Sequence, residues 1–436
     1  MMAIMIGYVL NPLNGSLAVT SYPILSEHFA VPYAHLSAMV MYFMAATAVG
    51  QPLAGGIGDF LGRKTVFILG VVGFTLSSAL AGLSDSYAAL LFWRVGQATF
   101  SGVIMANGMA LVAEVAPKEK VTSYVALLNS ALVATTVLGF TLGGMILQFF
   151  DWPMLFLLNV PLGICALILA FFYIPKGQQQ PANFTALSFI GVPVLPLAMA
   201  LQAIVQGEPY WLDLMLFVIA TAAVALAIGR SHSSRQQFRT VANFPFNLGC
   251  LLMLTAIALH FAVVFTLPAW SAAALGIESG MMGLYFSLVA GAQVLASPPL
   301  GRLLDKHGDR YLRWAALAAV ITPLLLFLFC LNGFTLALAL ALFGIGMAAS
   351  QLIAQKTSLQ ASPAESRALA MGLFSSYRSL GGLSGNALAA IVLAGFSTIT
   401  SEAGNQVFEW GIFLFVVPLT LVLLLLPARL ATAKRD

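Results

Sequence analysis

Charged residues are scarce in this 436-residue chain: Asp, Glu, Lys and Arg together make up 8% of it, whereas 60% of the residues are hydrophobic. A soluble domain averages about 25% charged residues, so too few are present here to cover a water-exposed surface of this size. The apolar residues also come in long runs, each close to the roughly 20 residues that an α-helix needs to cross a bilayer. The sequence therefore predicts an all-α polytopic membrane protein.

Cysteine is scarce as well, because Cys165, Cys250 and Cys330 lie far apart, each inside an apolar run. This pattern gives neither a disulfide framework nor a zinc site, and we expect no metal and no cofactor. The small net charge of +4 gives no reason to expect a nucleic-acid partner. The chain also contains no G-x-x-x-x-G-K-[ST] loop and no cluster of catalytic residues, so neither a primary pump nor an enzyme is predicted.

Fourteen membrane spans are predicted from the apolar runs, with short loops between them and no soluble domain. They lie at about 3–25, 35–57, 65–84, 87–113, 121–149, 153–175, 187–206, 211–229, 243–268, 281–300, 312–333, 335–357, 368–396 and 407–428. With the amino terminus in the cytoplasm, every Lys and Arg falls in a cytoplasmic loop except Arg94, Lys356 and Arg378, which lie within spans. The positive-inside rule then places both termini in the cytoplasm. Short loops and the lack of a targeting peptide favour a bacterial inner membrane.

A ten-residue pattern occurs twice, once after the second predicted span and once after the tenth. Both copies fit G-x-(L/I)-x-D-x-x-G followed by polar or basic residues. The positions are Gly55, Asp59, Gly62, Arg63 and Lys64 in the first copy, and Gly301, Asp305 and Gly308 in the second. Glycines permit a tight turn and close helix approach, and an Asp can cap a neighbouring helix. We expect each copy to form a short cytoplasmic loop that takes part in conformational gating.

At these positions the sequence resembles the major facilitator superfamily, whose hallmark loop is G-x-L-x-D-R-x-G-R-K. More narrowly, it resembles the fourteen-span drug:proton antiporter branch of that family. The resemblance implies two six-helix halves, at residues 1–176 and 241–436, that rock around a central site. Two additional helices and a cytoplasmic linker would occupy residues 177–240. It also implies that Glu114 pairs with a basic residue of the gating loop, either Arg63 or Lys64.

Two further segments match the branch, and two of its other motifs are incomplete here. Arg94-Val-Gly-Gln97 is similar to its R-x-x-Q-G motif, and the segment 151–163 is similar to its W-R-W-x-F-x-I-N-V-P-x-G motif. In contrast, Phe140 replaces the proline of the antiporter motif, and Asn14 replaces an acidic residue of the first helix. These departures bear on proton antiport rather than on the fold.

The predicted membrane interior carries cations and amides but no carboxylate in the middle of any span. A charge at the bilayer centre costs about 2.5–3.5 kcal/mol on insertion scales, so it calls for a partner or a purpose. Candidates for a substrate or proton pathway are Asn14, Arg94, Gln97, His260 and Arg378. In the family the arginine at position 94 is implicated in proton movement or in ordering the cavity; a structural anchor between helices is the alternative. Such an interior favours anionic, zwitterionic or neutral substrates.

These observations predict a secondary active transporter that moves small amphipathic molecules by alternating access. Efflux driven by a proton as coupling ion, as in multidrug transporters, is the leading hypothesis. The alternative is a dedicated carrier of one metabolite, such as a vitamin, a siderophore or an organic anion, working by import, export or uniport. We expect a monomer in the lipid bilayer.

Overall fold

A computed structural model describes residues 2–115, 121–175, 186–241, 243–277, 279–307, 332–361 and 367–394. All regular secondary structure assigned in these residues is helical. Two short 3₁₀ turns, Tyr33–Leu36 and Ala186–Phe189, accompany the α-helices. The helices are α1 (Met2–Thr20), α2 (Tyr22–His28), α3 (Ser37–Leu61), α4 (Arg63–Gly82), α5 (Tyr87–Val115), α6 (Val121–Phe149), α7 (Pro153–Leu157), α8 (Asn159–Tyr173), α9 (Val194–Gln206), α10 (Trp211–Arg230), α11 (His232–Val241), α12 (Phe244–Leu275), α13 (Ser279–His307), α14 (Gly333–Gln360) and α15 (Arg367–Ala394).

Nine helices in the described residues are long and apolar enough to cross a membrane. The predicted span at 407–428 and nearly all of the span at 312–333 lie outside the described residues. Every other predicted span coincides with one helix or with consecutive helical segments. The described part of the chain therefore confirms a polytopic all-α architecture.

Local sequence explains where several helices begin and end. The Asn243 side chain accepts a hydrogen bond from the backbone N–H of Phe246 at 2.9 Å and so caps the start of α12. Gly276 ends α12 with a φ of +63°, a left-handed conformation that favours glycine. The predicted span 153–175 divides at Leu158 into α7 and α8. Pro161, in the first turn of α8, has no N–H to continue the hydrogen-bond ladder from α7.

The chain divides into two compact units, Met1–Ala225 and Leu226–Asp436. In the first unit α1 packs on α5, α6 and α8, α4 packs on α5 and α8, and α3 packs on α5 and α9. A hydrophobic core joins α1, α4 and α5, with Ile4, Phe67, Phe74 and Ile104 almost fully buried. In the second unit α12 packs on α14 and α15, and α13 packs on α14.

The same close helix pairing occurs in both units. Gly139 and Gly143 of α6 face α1, where a side chain at Gly143 would meet Thr20. Gly381 and Gly385 of α15 face the carbonyl oxygens of α12 in the same way. Both pairs are spaced by four residues, so they lie on one face of their helix and let the two backbones approach closely. The two units thus share an element of internal repetition.

The expectation that the repeated pattern forms a loop was wrong. The repeated pattern is largely helical rather than a loop, because α3 continues through Gly55 and Asp59 to Leu61, and α13 continues through Gly301 and Asp305 to His307. The apolar residues between the motif positions, such as Ile57, Phe60 and Leu61, are compatible with continued helix, and the chain turns at Gly62, where φ is +88°. The hydrophilic residues after α10 form the helix α11.

Candidate functional site

The first unit buries an arginine among aromatic rings. Arg94 lies two turns into α5, and only 3% of it is exposed. Its guanidinium carbon lies 4.8 Å from the ring centroid of Phe43 and 5.8 Å from that of Phe156. Its Nη1 donates a hydrogen bond of 3.0 Å to Oε1 of Gln97, one turn further along α5. The positive charge is therefore held by cation–π contacts and a neutral amide.

Gln97 joins this arginine to two other helices. Its Oε1 accepts from Arg94 and, at 3.4 Å, from Nδ2 of Asn14 on α1. Its Nε2 donates to Oγ of Ser78 on α4 at 2.8 Å and to Oδ1 of Asn14 at 3.4 Å. An amide side chain offers two donor and two acceptor positions, and all four are occupied here. Gln97 is fully buried, so these partners replace water.

Asn159, the first residue of α8, brings a fourth helix into the same cluster. Its Nδ2 donates to Oδ1 of Asn14 at 3.3 Å and to the carbonyl oxygen of Phe156 at 3.2 Å. We call these residues the Arg94 network: Asn14, Ser78, Arg94, Gln97 and Asn159. Each of them is at most 3% exposed. The network ties α1, α4, α5 and α8 together inside the first unit.

The network keeps two buried atoms without a hydrogen-bond partner in the part of the chain that the structure describes. They are Nε of Arg94 and Oδ1 of Asn159. An ion pair of the described residues lies elsewhere, between Arg63 and Glu114. Among those residues no carboxylate lies within salt-bridge distance of Arg94, so its charge is not neutralised by an acid there. Such a charge attracts anions and repels cations.

A second polar contact lies further along α5, on the side of the network nearer to Val115. Nδ2 of Asn11 donates to Oγ of Ser101 and, at 3.0 Å, to the sulfur of Met105. Nε2 of Gln51 also donates to that sulfur, at 3.6 Å. These side chains connect α1 and α3 to α5 and, unlike the Arg94 network, are mostly half-buried.

Charged side chains at the start of α4 and at the end of α5 hold the Gly62 turn. Nε of Arg63 lies 3.0 Å from Oε1 of Glu114, so the pairing implied by the resemblance is present. Nζ of Lys64 donates to the carbonyl oxygens of Phe171, at 2.8 Å, and Ile174. A cation at these last carbonyls satisfies acceptors that the helix itself leaves free.

The remaining predicted site residues belong to the second unit or lie outside the residues that the structure describes. The His260 ring on α12 stacks on Phe343 of α14, with centroids 6.3 Å apart and planes at 4°. Nδ1 of His260 has no hydrogen-bond partner among the described residues. Arg378 on α15 is exposed, and a side chain at Gly301 would meet open space. Gly308 and the side chains of Asp59 and Asp305 lie outside the described residues.

Sequence reasoning found part of the Arg94 network and missed the rest. It singled out Asn14, Arg94 and Gln97, and the structure brings these three together. It missed Ser78 as a site residue, because serine is common in membrane helices and carries no motif. Asn159 stood in a matched motif, which was the available signal, but its role as a partner of Asn14 depends on the packing of α8 against α1.

Long apolar helices, a buried polar network and charged residues at the helix ends define a polytopic helical membrane protein. Residues 4–264 and 246–436 both match the family model of the Major Facilitator Superfamily. The chain therefore belongs to that superfamily and is an integral multi-pass membrane protein. The double match also agrees with the helix pairing that the two units share.

Similar proteins are transporters rather than enzymes. The chain is 25% identical over 361 residues to the riboflavin transporter RibZ of Clostridioides difficile, covering 79% of this chain and 77% of that protein. It is 26% identical over 404 residues to the multidrug resistance protein Stp of Mycobacterium tuberculosis, covering 89% of this chain and 74% of that protein. The crystal structure of the human organic anion transporter MFSD10 (TETRAN) covers 97% of this chain and 98% of its own, with a TM-score of 0.64. At 18% identity this likeness shows the fold.

Proposed function

We propose that this chain is a secondary active transporter that moves small amphipathic molecules across the membrane by alternating access, as proton-coupled efflux of the multidrug type. The similarity to the multidrug resistance protein Stp supports the multidrug type. The resemblance to the fourteen-span branch supports the proton as coupling ion. We place the protein in a bacterial inner membrane as a monomer. The distribution of Lys and Arg favours an orientation with both termini in the cytoplasm.

The observation that carries the substrate class is the charge of the Arg94 network. Every acidic residue of the first unit that the structure describes lies in a loop or near a helix end, whereas Arg94 lies inside α5. At an effective dielectric constant of about 20, a unit charge held about 8 Å from the guanidinium interacts with it by about 2 kcal/mol. Relative to a neutral compound, this corresponds to roughly 30-fold tighter binding of an anion and roughly 30-fold weaker binding of a cation. Substrates are therefore anionic, zwitterionic or neutral.

The Gly62 turn is the gating element in this proposal. The exposed fractions of the Arg63 and Glu114 side chains, 28% and 38%, allow their ion pair to open without leaving a fully buried charge. Lys64 holds the end of α8 by its carbonyl oxygens. Asp59 and, in the second copy, Asp305 complete the gating set. An Asp59→Asn variant is expected to slow the transport cycle more than it reduces the amount of folded protein.

A dedicated carrier of one metabolite is the second candidate, and two observations favour it. Asn14 and Phe140 replace residues that the antiporter motifs of the branch contain. The riboflavin transporter RibZ, which is named for a vitamin, is about as similar to this chain in sequence identity as Stp is. Under this hypothesis flux is restricted to one compound and need not be coupled to protons.

The test is made with purified protein in liposomes that enclose a pH-sensitive dye. Anionic, neutral and cationic compounds of matched size are added, and both compound flux and proton movement are recorded. Proton movement with several compounds supports coupled efflux. Flux of one compound without proton movement supports the dedicated carrier instead.

The charge preference is tested with Arg94→Gln and with Arg94→Lys as the matched control. Arg94→Gln is expected to reduce the preference for anions over neutral compounds by up to about 30-fold, because it removes the fixed charge. Arg94→Lys keeps the charge and should keep most of the preference. Equal preference in the wild type and Arg94→Gln would refute the assigned role of this charge.

A further inference from the structure

The helix α9 is tied to the first unit by buried polar groups. Oγ of Ser37, at the start of α3, donates a hydrogen bond of 2.9 Å to Oε1 of Gln202 on α9. These two side chains are 0% and 1% exposed. Nε2 of Gln202 donates to the carbonyl oxygen of His35 at 3.4 Å, and the hydroxyl of Tyr87 donates to the same oxygen at 2.8 Å. The carbonyl of His35 thus joins α9 to the starts of α3 and α5.

A second contact fixes the direction in which α9 lies on α3. A side chain at Gly191, just before α9, would collide with the carbonyl oxygen of Ala48 in the middle of α3. Gly191 therefore permits a close approach that any larger residue would prevent. Because Gly191 faces Ala48 while Gln202 faces Ser37, α9 runs antiparallel to α3 and follows it for roughly 16 Å.

The two faces of α9 differ in burial. The buried residues Val194, Ala198 and Gln202 are spaced by four, so they form one stripe along the helix. Leu195 and Met199, on another face, are each 40% exposed. Small buried residues and one polar tie are typical of a stable helix contact in a bilayer. The next helix, α10, has no buried residue at all.

We propose that α9 is a permanent brace of α3 and remains docked on it throughout the transport cycle. The segment between α8 and α12 is then not a uniform linker: α9 moves as part of the first unit, and freedom of movement begins after Gln206. α9 lies against the half of α3 that is remote from the Gly62 turn, from Ser37 to Ala48. This inference rests on the proposed function, since it assumes alternating access.

A cross-link between α3 and α9 tests the proposal in the full-length protein. Cys165, Cys250 and Cys330 are replaced by serine, and the pair Ser37→Cys and Gln202→Cys is introduced with a protease site within 177–183. The shortest bifunctional thiosulfonate reagent is then applied to the protein in liposomes. We expect the two proteolytic fragments to remain joined, and substrate turnover to equal that of the same variant before cross-linking.

Either of two results would overturn the brace. The control pair is Ser37→Cys and Thr221→Cys, whose second residue is exposed on α10. If the test pair cross-links no better than this control, α9 is not docked. A cross-link that abolishes turnover, with recovery on reduction, would show that α9 leaves α3 during the cycle.

A third measurement needs neither cysteines nor substrate. Gly191→Ala is expected to lower the temperature of thermal unfolding in detergent, whereas Gly229→Ala, which meets no atom within 4 Å, is expected not to. Equal unfolding temperatures for the two variants would contradict the docked arrangement. Both this measurement and the cross-linking yield are independent of transport. A protein that moves no tested compound would therefore refute the proposed function, while these two measurements would still test whether α9 is docked on α3.

Discussion

Replacement of Gln97 by leucine is the most direct perturbation of the Arg94 network. Leucine is close to glutamine in size, so the change removes hydrogen bonds and leaves little cavity. The hydrogen bond from the charged Arg94 to Gln97 is worth about 1.5–3 kcal/mol. The bonds between helices, to Ser78 and Asn14, contribute about 0.6 kcal/mol each by the average for membrane proteins. We therefore expect Gln97→Leu to lower the free energy of unfolding by about 3–5 kcal/mol.

The assay is reversible unfolding in mixed detergent micelles, in which increasing amounts of dodecyl sulfate unfold the helices. Gln148→Leu, at the exposed end of α6, is the matched control and should change the free energy by no more than about 0.5 kcal/mol. Gln97→Glu keeps an acceptor for Arg94 and should lose less stability than Gln97→Leu. A Gln97→Leu protein as stable as the control would refute the reasoning, because the network would then contribute nothing measurable to the fold.

Two further predictions use the same unfolding assay. A double-mutant cycle with Arg63→Gln and Glu114→Gln should give a coupling energy below about 1 kcal/mol, because the ion pair is partly exposed. A coupling energy well above this value would show that the ion pair stabilises the fold and does not open as a gate. Gly143→Ala should destabilise by about 1–3 kcal/mol, because the new methyl group would lie 2.6 Å from the Thr20 hydroxyl oxygen of α1. Gly229→Ala serves as its control, and equal effects at the two glycines would contradict the close pairing of α6 with α1.

The fold was largely predictable because helices in a bilayer are specified by local composition. An apolar run of about 20 residues must satisfy its own backbone hydrogen bonds, so it forms a helix whatever its neighbours are. The repeated pattern at the ends of α3 and α13 pointed to the correct superfamily for a similar reason, since its residues are contiguous in the chain. The end of α3 was misjudged because charged and glycine residues resemble a loop, whereas the chain turns at Gly62.

The site was only partly predictable because its contacts connect distant parts of the chain. Arg94 and Gln97 are one helical turn apart, so their pairing follows from sequence spacing. The bonds from Asn159 and Ser78 depend on how α8 and α4 pack against α1 and α5, which no local pattern contains. The same holds for Gln202, which stands in an apolar run and meets Ser37 only because α9 lies along α3.

Substrate counterflow is the measurement that tests the central claim, a carrier that works by alternating access. Liposomes containing the purified protein are loaded with an unlabelled anionic, neutral or cationic compound, and a trace of the same compound in labelled form is added outside. The account predicts transient accumulation of label inside, faster for anionic than for cationic compounds of matched size, and persisting when a protonophore removes the proton gradient. Specific binding of a compound without any counterflow would contradict the account, because a protein that binds a ligand and does not exchange it across the membrane is not a carrier.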